Sequence, residues 1–145
     1  MKPEIDHILG VTAGQLMTEI APLLPASYSQ STAGLLGILL GFCAQEYERG
    51  AEIRFAENAD MRELFAALGP SVADATLKSQ LADAASGSDM SLKISDLNLA
   101  NSRLRELLIA LQTECESSQK TNAQKMIWAV LKASADRRLV KLPGM

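Results

Sequence analysis

The chain has 145 residues, 48% hydrophobic and 21% charged, with only six aromatic side chains and a formal net charge of −3. At that length folding buries roughly two thirds of the unfolded chain's surface, so one aliphatic domain needs no disulfide or metal to hold it together. Abundant helix formers, few β-branched residues and no run of period two argue against a sheet protein and point to the all-α class.

Pro3, Glu4 and Asp6 favour a helix N-terminus, and Ile5, Ile8, Leu9, Thr12, Leu16, Ile20, Leu23 and Leu24 follow at helical spacing. A first amphipathic helix is predicted over 4–22, stopped where Pro22 and Pro25 remove amide donors. The second predicted helix, 27–58, is the longest and begins at a serine cap. Its stretch 33–44 has no charge and no proline. Apolar residues on every side predict burial all round, whereas the Glu and Arg residues of 45–58 leave one buried stripe, so the helix should start central and end at the surface. Gly34, Gly37 and Gly41 each cost about 1 kcal/mol against alanine in a helix. Ala33, Gly37, Gly41 and Ala44 share one side, where a neighbouring helix can approach closely. A membrane dimerisation face needs about twenty apolar residues, and this run is too short.

Asn58-Ala-Asp60 reads as a stop and a new cap, followed by a short helix to Gly69-Pro70 and another opened by Ser71 with Asp74 three residues on. The small, turn-forming residues of 84–91 predict a mobile connection. A second long helix is predicted over 92–117. Ile94, Leu97, Asn101, Leu104, Leu108, Leu111 and Cys115 alternate at spacings of three and four, a heptad seam in which Asn101 sits in a core position and fixes register. Leu107 and Ile109 widen the apolar face, as in a bundle. A last helix, 120–137, carries Ala123, Met126, Ile127, Val130, Leu131 and Ser134 inward, and 139–145 is a tail. The expected architecture is a single domain of four main helices, 4–22, 27–58, 92–117 and 120–137, with the two long ones antiparallel and 60–85 crossing over as one or two short helices.

Residues 1–117 carry sixteen Asp and Glu against eight Lys and Arg, while 118–145 carry six Lys and Arg against Asp136 alone. The last helix therefore suits docking on its own acidic body or on a second copy. That acidic body argues against nucleic-acid binding through Lys132, Arg137, Arg138 and Lys141. His7 is the only histidine, so neither a di-iron bundle nor a zinc site can be assembled, and no cofactor motif occurs. Cys43 and Cys115 read as reduced core thiols of a cytoplasmic protein without a secretory leader or membrane span. Glu46, Glu48, Arg49, Glu52, Arg54 and Glu57 read as a solvated face. Asn98, Asn101 and Arg105 form a polar strip; facing Glu46 or Glu48, it would make either a specificity device or the lining of a ligand pocket. No catalytic residue is assigned.

Residues 96–111, Asp-Leu-Asn-Leu-Ala-Asn-Ser-Arg-Leu-Arg-Glu-Leu-Leu-Ile-Ala-Leu, together with Gly50-Ala-Glu-Ile-Arg and Glu57-Asn58, resemble a group of small all-helical bacterial proteins encoded near acyl-CoA dehydrogenases or kinase-like phosphotransferases. The resemblance spans about residues 15–116; it implies a helical bundle and brings no catalytic residue to transfer. Expected of the chain is a non-catalytic accessory or interaction protein, either a homodimer or the companion of another protein. The alternative is a bundle that binds a small acyl or nucleotide-type molecule through Glu46, Glu48, Asn101 and Arg105.

Overall fold

The structure, a computed structural model, describes residues 2–141, and among these every regular element is a helix. Helix α1 is Ile5–Gln15, and α2 is Tyr28–Leu68. They are followed by α3, Ala75–Ser86, α4, Ile94–Ser117, and α5, Thr121–Arg137. The predicted tail beyond Lys141 lies outside the described residues. The chain divides into two compact units: Ala51–Arg138 is one, and Met1–Gly50 with Leu139–Met145 is the other.

The all-α class stands; the described residues hold five α-helices where four main ones with one or two short crossover helices over 60–85 were expected, and 60–85 is instead divided between the end of α2 and α3. Helix α2 does not stop at Asn58; it continues for 41 residues to Leu68. The side chain that was read as a stop is 0% exposed and engaged in tertiary bonds, with Nδ2 donating to Asp89 Oδ2 at 3.0 Å. Asn58 thus has no need to compete for nearby backbone, which is how asparagine ends helices. The stop comes at Gly69-Pro70, where a single 3₁₀ turn, Gly69–Ser71, is closed by Ser71 Oγ donating to the Leu68 carbonyl at 2.8 Å. Asp74, not Ser71, caps α3: its Oδ1 accepts from the Leu77 amide at 2.8 Å.

Within 51–138 the hydrogen bonds fix the helix directions. Arg54 Nε donates to Asn98 Oδ1 at 2.5 Å, and one turn later on both helices Asn101 Nδ2 donates to Glu57 Oε2 at 3.2 Å. Partners that advance together mean that α2 and α4 run parallel, which corrects the expected antiparallel pair. A helix pair joined by a third helix returns to its starting direction, and α3 is that third helix. Lys120, just before α5, donates its Nζ to the Ser71 carbonyl beyond the end of α2 at 2.8 Å, while Ser134 and Arg138 at the other end of α5 meet Glu57 further back on α2, so α5 is antiparallel to α2. The unit is an up-down-up-down bundle made of the second half of α2 with α3, α4 and α5. Its core takes Met61, Leu64, Phe65 and Leu68 from α2, Leu81 from α3, Leu104, Leu108, Leu111 and Cys115 from α4, and Ala123 and Ile127 from α5. The heptad of α4 is buried from Leu97 to Cys115, with Ile94 at its exposed end.

Of the stretch 84–91, expected to be a mobile connection, residues 84–86 are the last turn of α3, and the linker that follows, 87–93, is tied down at Asp89. This carboxylate accepts from Arg62 Nη2 at 2.7 Å and from Asn58 Nδ2 at 3.0 Å. Burial pushes the Asp89 carboxyl upward, but the bonds from Arg62 and Asn58 and the Arg62 charge outweigh it and hold the group below the usual range.

In the other unit α1 passes into a π-helical turn, Leu16–Ile20, and a 3₁₀ turn, Ala21–Leu23, ahead of the two prolines. It packs on the first half of α2 through small residues. Ala13, Ala33 and Gly37 are buried, and a Cβ on Gly37 would stand 3.0 Å from the Ala13 carbonyl oxygen and against Met17 Cγ. Close approach at Gly37 is the gain that offsets its low helix propensity. Gln45 reads the backbone at the chain's other end: its Nε2 donates to the Lys141 carbonyl at 2.7 Å, and its Oε1 accepts from the Lys141 amide at 2.9 Å.

The burial expected along α2 is inverted. Ile53, Met61, Leu64 and Phe65 of the charged half are buried, whereas Leu35, Leu36 and Leu39 of the uncharged half are 47–55% exposed. A two-helix hairpin covers one side of each helix, so an all-round apolar helix cannot be enclosed by it. Cys43, expected in the core, is exposed for the same reason; Cys115 is buried, and both are free thiols.

Candidate functional site

Glu57 is the polar centre of the 51–138 bundle. It lies on the same stripe of α2 as Ile53, Met61, Leu64 and Leu68, and is 2% exposed. Five donors surround its carboxylate. Arg138 spans it with Nε to Oε1 at 2.6 Å and Nη2 to Oε2 at 2.6 Å, and Ser134 Oγ donates to Oε1 at 2.7 Å. Asn101 Nδ2 reaches Oε2 at 3.2 Å, and Arg105 Nη2 reaches it at 3.5 Å.

The amides close the network. Asn101 Nδ2 also donates to Asn58 Oδ1 at 2.9 Å, and Asn101 Oδ1 accepts from Arg105 Nε at 2.8 Å. Burial pushes the Glu57 carboxyl upward, yet the bonds from Arg138 and Ser134, with the charges of Arg138 and Arg105, lower it from 4.5 to about 2. Glu57 is therefore an anion throughout the neutral range, matched by two guanidinium groups. Arg137 makes a second clasp on Asp60, and this contact raises its own pKa. The basic end of α5 thus docks on the acidic residues of its own chain.

Asn101 and Arg105 are brought together as the sequence suggested, and their carboxylate is Glu57 rather than Glu46 or Glu48. Those two glutamates are exposed and belong to the other unit. The missed signal was periodic: Ile53, Glu57, Met61, Leu64 and Leu68 recur at spacings of four, four, three and four, which puts Glu57 on the buried stripe once the helix is carried past Asn58.

This arrangement has the chemistry of a clamp rather than of a reaction centre. A cavity beside it, lined by Glu57, Met61, Arg105, Leu108, Leu131 and Ser134 among others, measures about 10 Å³, room for about one water molecule. A carboxylate held near pKa 2 is a poor base at neutral pH. Among the described residues Arg62 Nε is the one buried side-chain nitrogen or oxygen without a hydrogen-bond partner, so the Glu57 network is fully satisfied. Among the same residues no cluster of three or more His, Cys, Asp and Glu is placed to hold a metal ion. His7 is exposed.

A wider opening of about 450 Å³ lies along α2 and α5 and is lined by Asp60, Glu63, Leu64, Ala67, Met126, Ala129, Val130 and Ala133. It is a shallow, largely apolar groove without a nucleophile.

The α1–α2 hairpin is the other unusual surface. Ile5, Ile8 and Val11 on α1 are 46–50% exposed, matching Leu35, Leu36 and Leu39 on α2, while Leu23 and Tyr28 are 84% and 88% exposed. No described helix is long and apolar enough to cross a membrane. No family model, curated protein or solved structure matches the chain.

Proposed function

We propose that the chain is a non-catalytic interaction protein in which the 51–138 bundle is a self-sufficient scaffold and the α1–α2 hairpin is the binding surface. The observation that carries this reading is the exposure of Leu35, Leu36 and Leu39 within 33–44, a helical stretch with no charge and no proline. Six half-exposed aliphatic chains amount to on the order of 500 Å² of apolar surface, near the upper end of what a lone soluble protein leaves uncovered. The bundle supports the reading from the other side. Its buried carboxylate is spent on internal bonds, and the space beside it is too small for an acyl or nucleotide-type molecule.

Ligand binding through Glu46, Glu48, Asn101 and Arg105 is the weaker reading, because Asn101 and Arg105 already have partners in the fold. The likeness of 96–111 to small helical bacterial proteins fits an accessory role and adds no catalytic residue.

Co-purification from the source cell tests the proposal. Wild-type chain as bait is compared with Leu35→Lys/Leu39→Lys, which places two charges on the outer face of α2. The protein recovered with wild type, a second copy included, should be lost with the variant. Equal recovery by both, or none by either, would refute the hairpin as the binding surface. A specific thermal shift of several degrees with a metal, nucleotide or acyl-CoA compound would favour the ligand-binding bundle instead.

A further inference from the structure

Resting on the interaction reading above, we infer that the occupant of the α1–α2 hairpin surface is a second copy of this chain, two hairpins joining into a four-helix interface. Three observations converge on that occupant. The first is charge: residues 20–45 include no Asp, Glu, Lys, Arg or His. A two-fold contact brings each residue near its own copy or near residues of the same patch, so any net charge there would repel itself. The α2 side of this surface carries none, and the ionisable side chains of α1 are confined to Asp6 and His7 in its first turn, so the middle of the patch has no charge to repel its own copy.

The second is area. Two faces of on the order of 500 Å² each bury about 1,000 Å² together, the threshold for a specific protein–protein interface, and the protruding Leu23 and Tyr28 extend it. The third is the placement of glycine. Gly10, Gly14 and Gly34 lie inside helices, where glycine is unfavourable, yet no other part of the chain comes within 4 Å of where their Cβ atoms would stand. Gly37 shows the alternative, since α1 fills the space beside it. Gly10 and Gly14, one turn apart on α1, leave a flat strip that an approaching helix can use and that the chain itself leaves open.

Two hairpins laid together would surround each uncharged half of α2 with apolar neighbours on more than one side. That is the environment its sequence calls for and a single copy cannot provide. The exposed aliphatic residues of α1 and α2 then form the centre of the interface, with Tyr28 and Tyr47 suited to its edge, where a phenol keeps one end wet.

Sedimentation velocity of the full chain from about 1 to 100 µM tests this. The wild type should sediment as a dimer, at twice the 15.6 kDa chain mass. Leu35→Lys/Leu39→Lys should weaken dimerisation at least about tenfold. The far-ultraviolet circular dichroism should keep the helix content of the wild type. Gly10→Ala/Gly14→Ala is the second variant, chosen because added methyl groups meet nothing within one chain; it too should weaken the dimer without loss of helix. A wild type that stays monomeric at about 100 µM overturns the inference, as does a dimer indifferent to both variants. A monomer that nevertheless captures a different protein through Leu35 and Leu39 removes the second copy while leaving the interaction reading intact. Monomeric wild type that instead partitions onto phosphatidylcholine vesicles assigns the surface to lipid and ends both.

Discussion

Replacing Asn101 by leucine separates a heptad asparagine that only sets register from one that anchors a network. Register alone predicts a more stable protein, because leucine gains apolar burial of about 1–2 kcal/mol. The structure predicts the opposite. The substitution deletes the bonds to Glu57 at 3.2 Å and to Asn58 Oδ1 at 2.9 Å, and the bond accepted from Arg105 Nε at 2.8 Å. Arg105 is half-buried and can turn to water, so its loss is small. Asn58 is fully buried, and stranding its carbonyl oxygen costs about 1–3 kcal/mol. Glu57 keeps four donors but gives up one charge-assisted bond, about 1.5 kcal/mol at this length. Set against the gain from leucine, the net is a loss of about 2 kcal/mol. For a unit of this size that is a fall in melting temperature of roughly 8–16 °C. Circular-dichroism melts of wild type and Asn101→Leu decide the matter. An unchanged or raised melting temperature would refute the network argument and return Asn101 to a role in register.

Further tests address the other contacts. Glu57 has a folded pKa of about 2 against an ordinary 4.5; its contribution to stability is therefore complete above pH 4.5 and lost as pH falls towards 2, for a total of about 3 kcal/mol. Urea midpoints at pH 6, 4 and 3 should fall steeply in wild type and be lower at pH 6 but flatter in Glu57→Gln. Asp89 titrates in the same direction, and Asp89→Ala should release the 87–93 connection, seen as faster amide hydrogen exchange there and in the first turn of α4. Gly37→Ala should cost about 1–2 kcal/mol in the hairpin, because the Ala13 carbonyl cannot retreat as Met17 can. Loss of exchange protection confined to α1 and the first half of α2 is the expected signature, and a bundle that loosens equally would contradict it.

Much of the bundle was legible in the sequence because period is written in side chains. The alternation of three and four from Leu97 to Cys115 located α4 and its buried face, and the stripe of α5 was read from Ala123 and Ile127. The end of α2 was not legible because asparagine's local habit is to end helices, while the Asn58 amide is occupied by residues more than thirty positions away. With the helix ended there, Glu57 falls on what looks like a solvated face; of its partners, Ser134 shows on the inner stripe of α5, but Arg138 lies beyond that stripe and has no pattern to mark it. The direction of α4 relative to α2 hung on the same error, since an undivided α2 leaves only α3 to make the return. The exposure of Leu35, Leu36 and Leu39 could not be read either: hydropathy states that a helix needs cover and says nothing about which chain supplies it.

The Glu57–Arg138 clasp joins residues 81 positions apart, and this has a consequence for vectorial synthesis. At ribosomal speeds of about 5–20 residues per second, roughly 4–16 s separate the addition of the carboxylate from that of its principal partner. In that interval Asn101 and Arg105 arrive first, and Ser134 and Arg138 arrive last. A nascent chain stalled before residue 134 would hold an anion on the stripe meant for its core with only two of its five donors, so the bundle would be held open, its apolar seam available to chaperones, until α5 emerges.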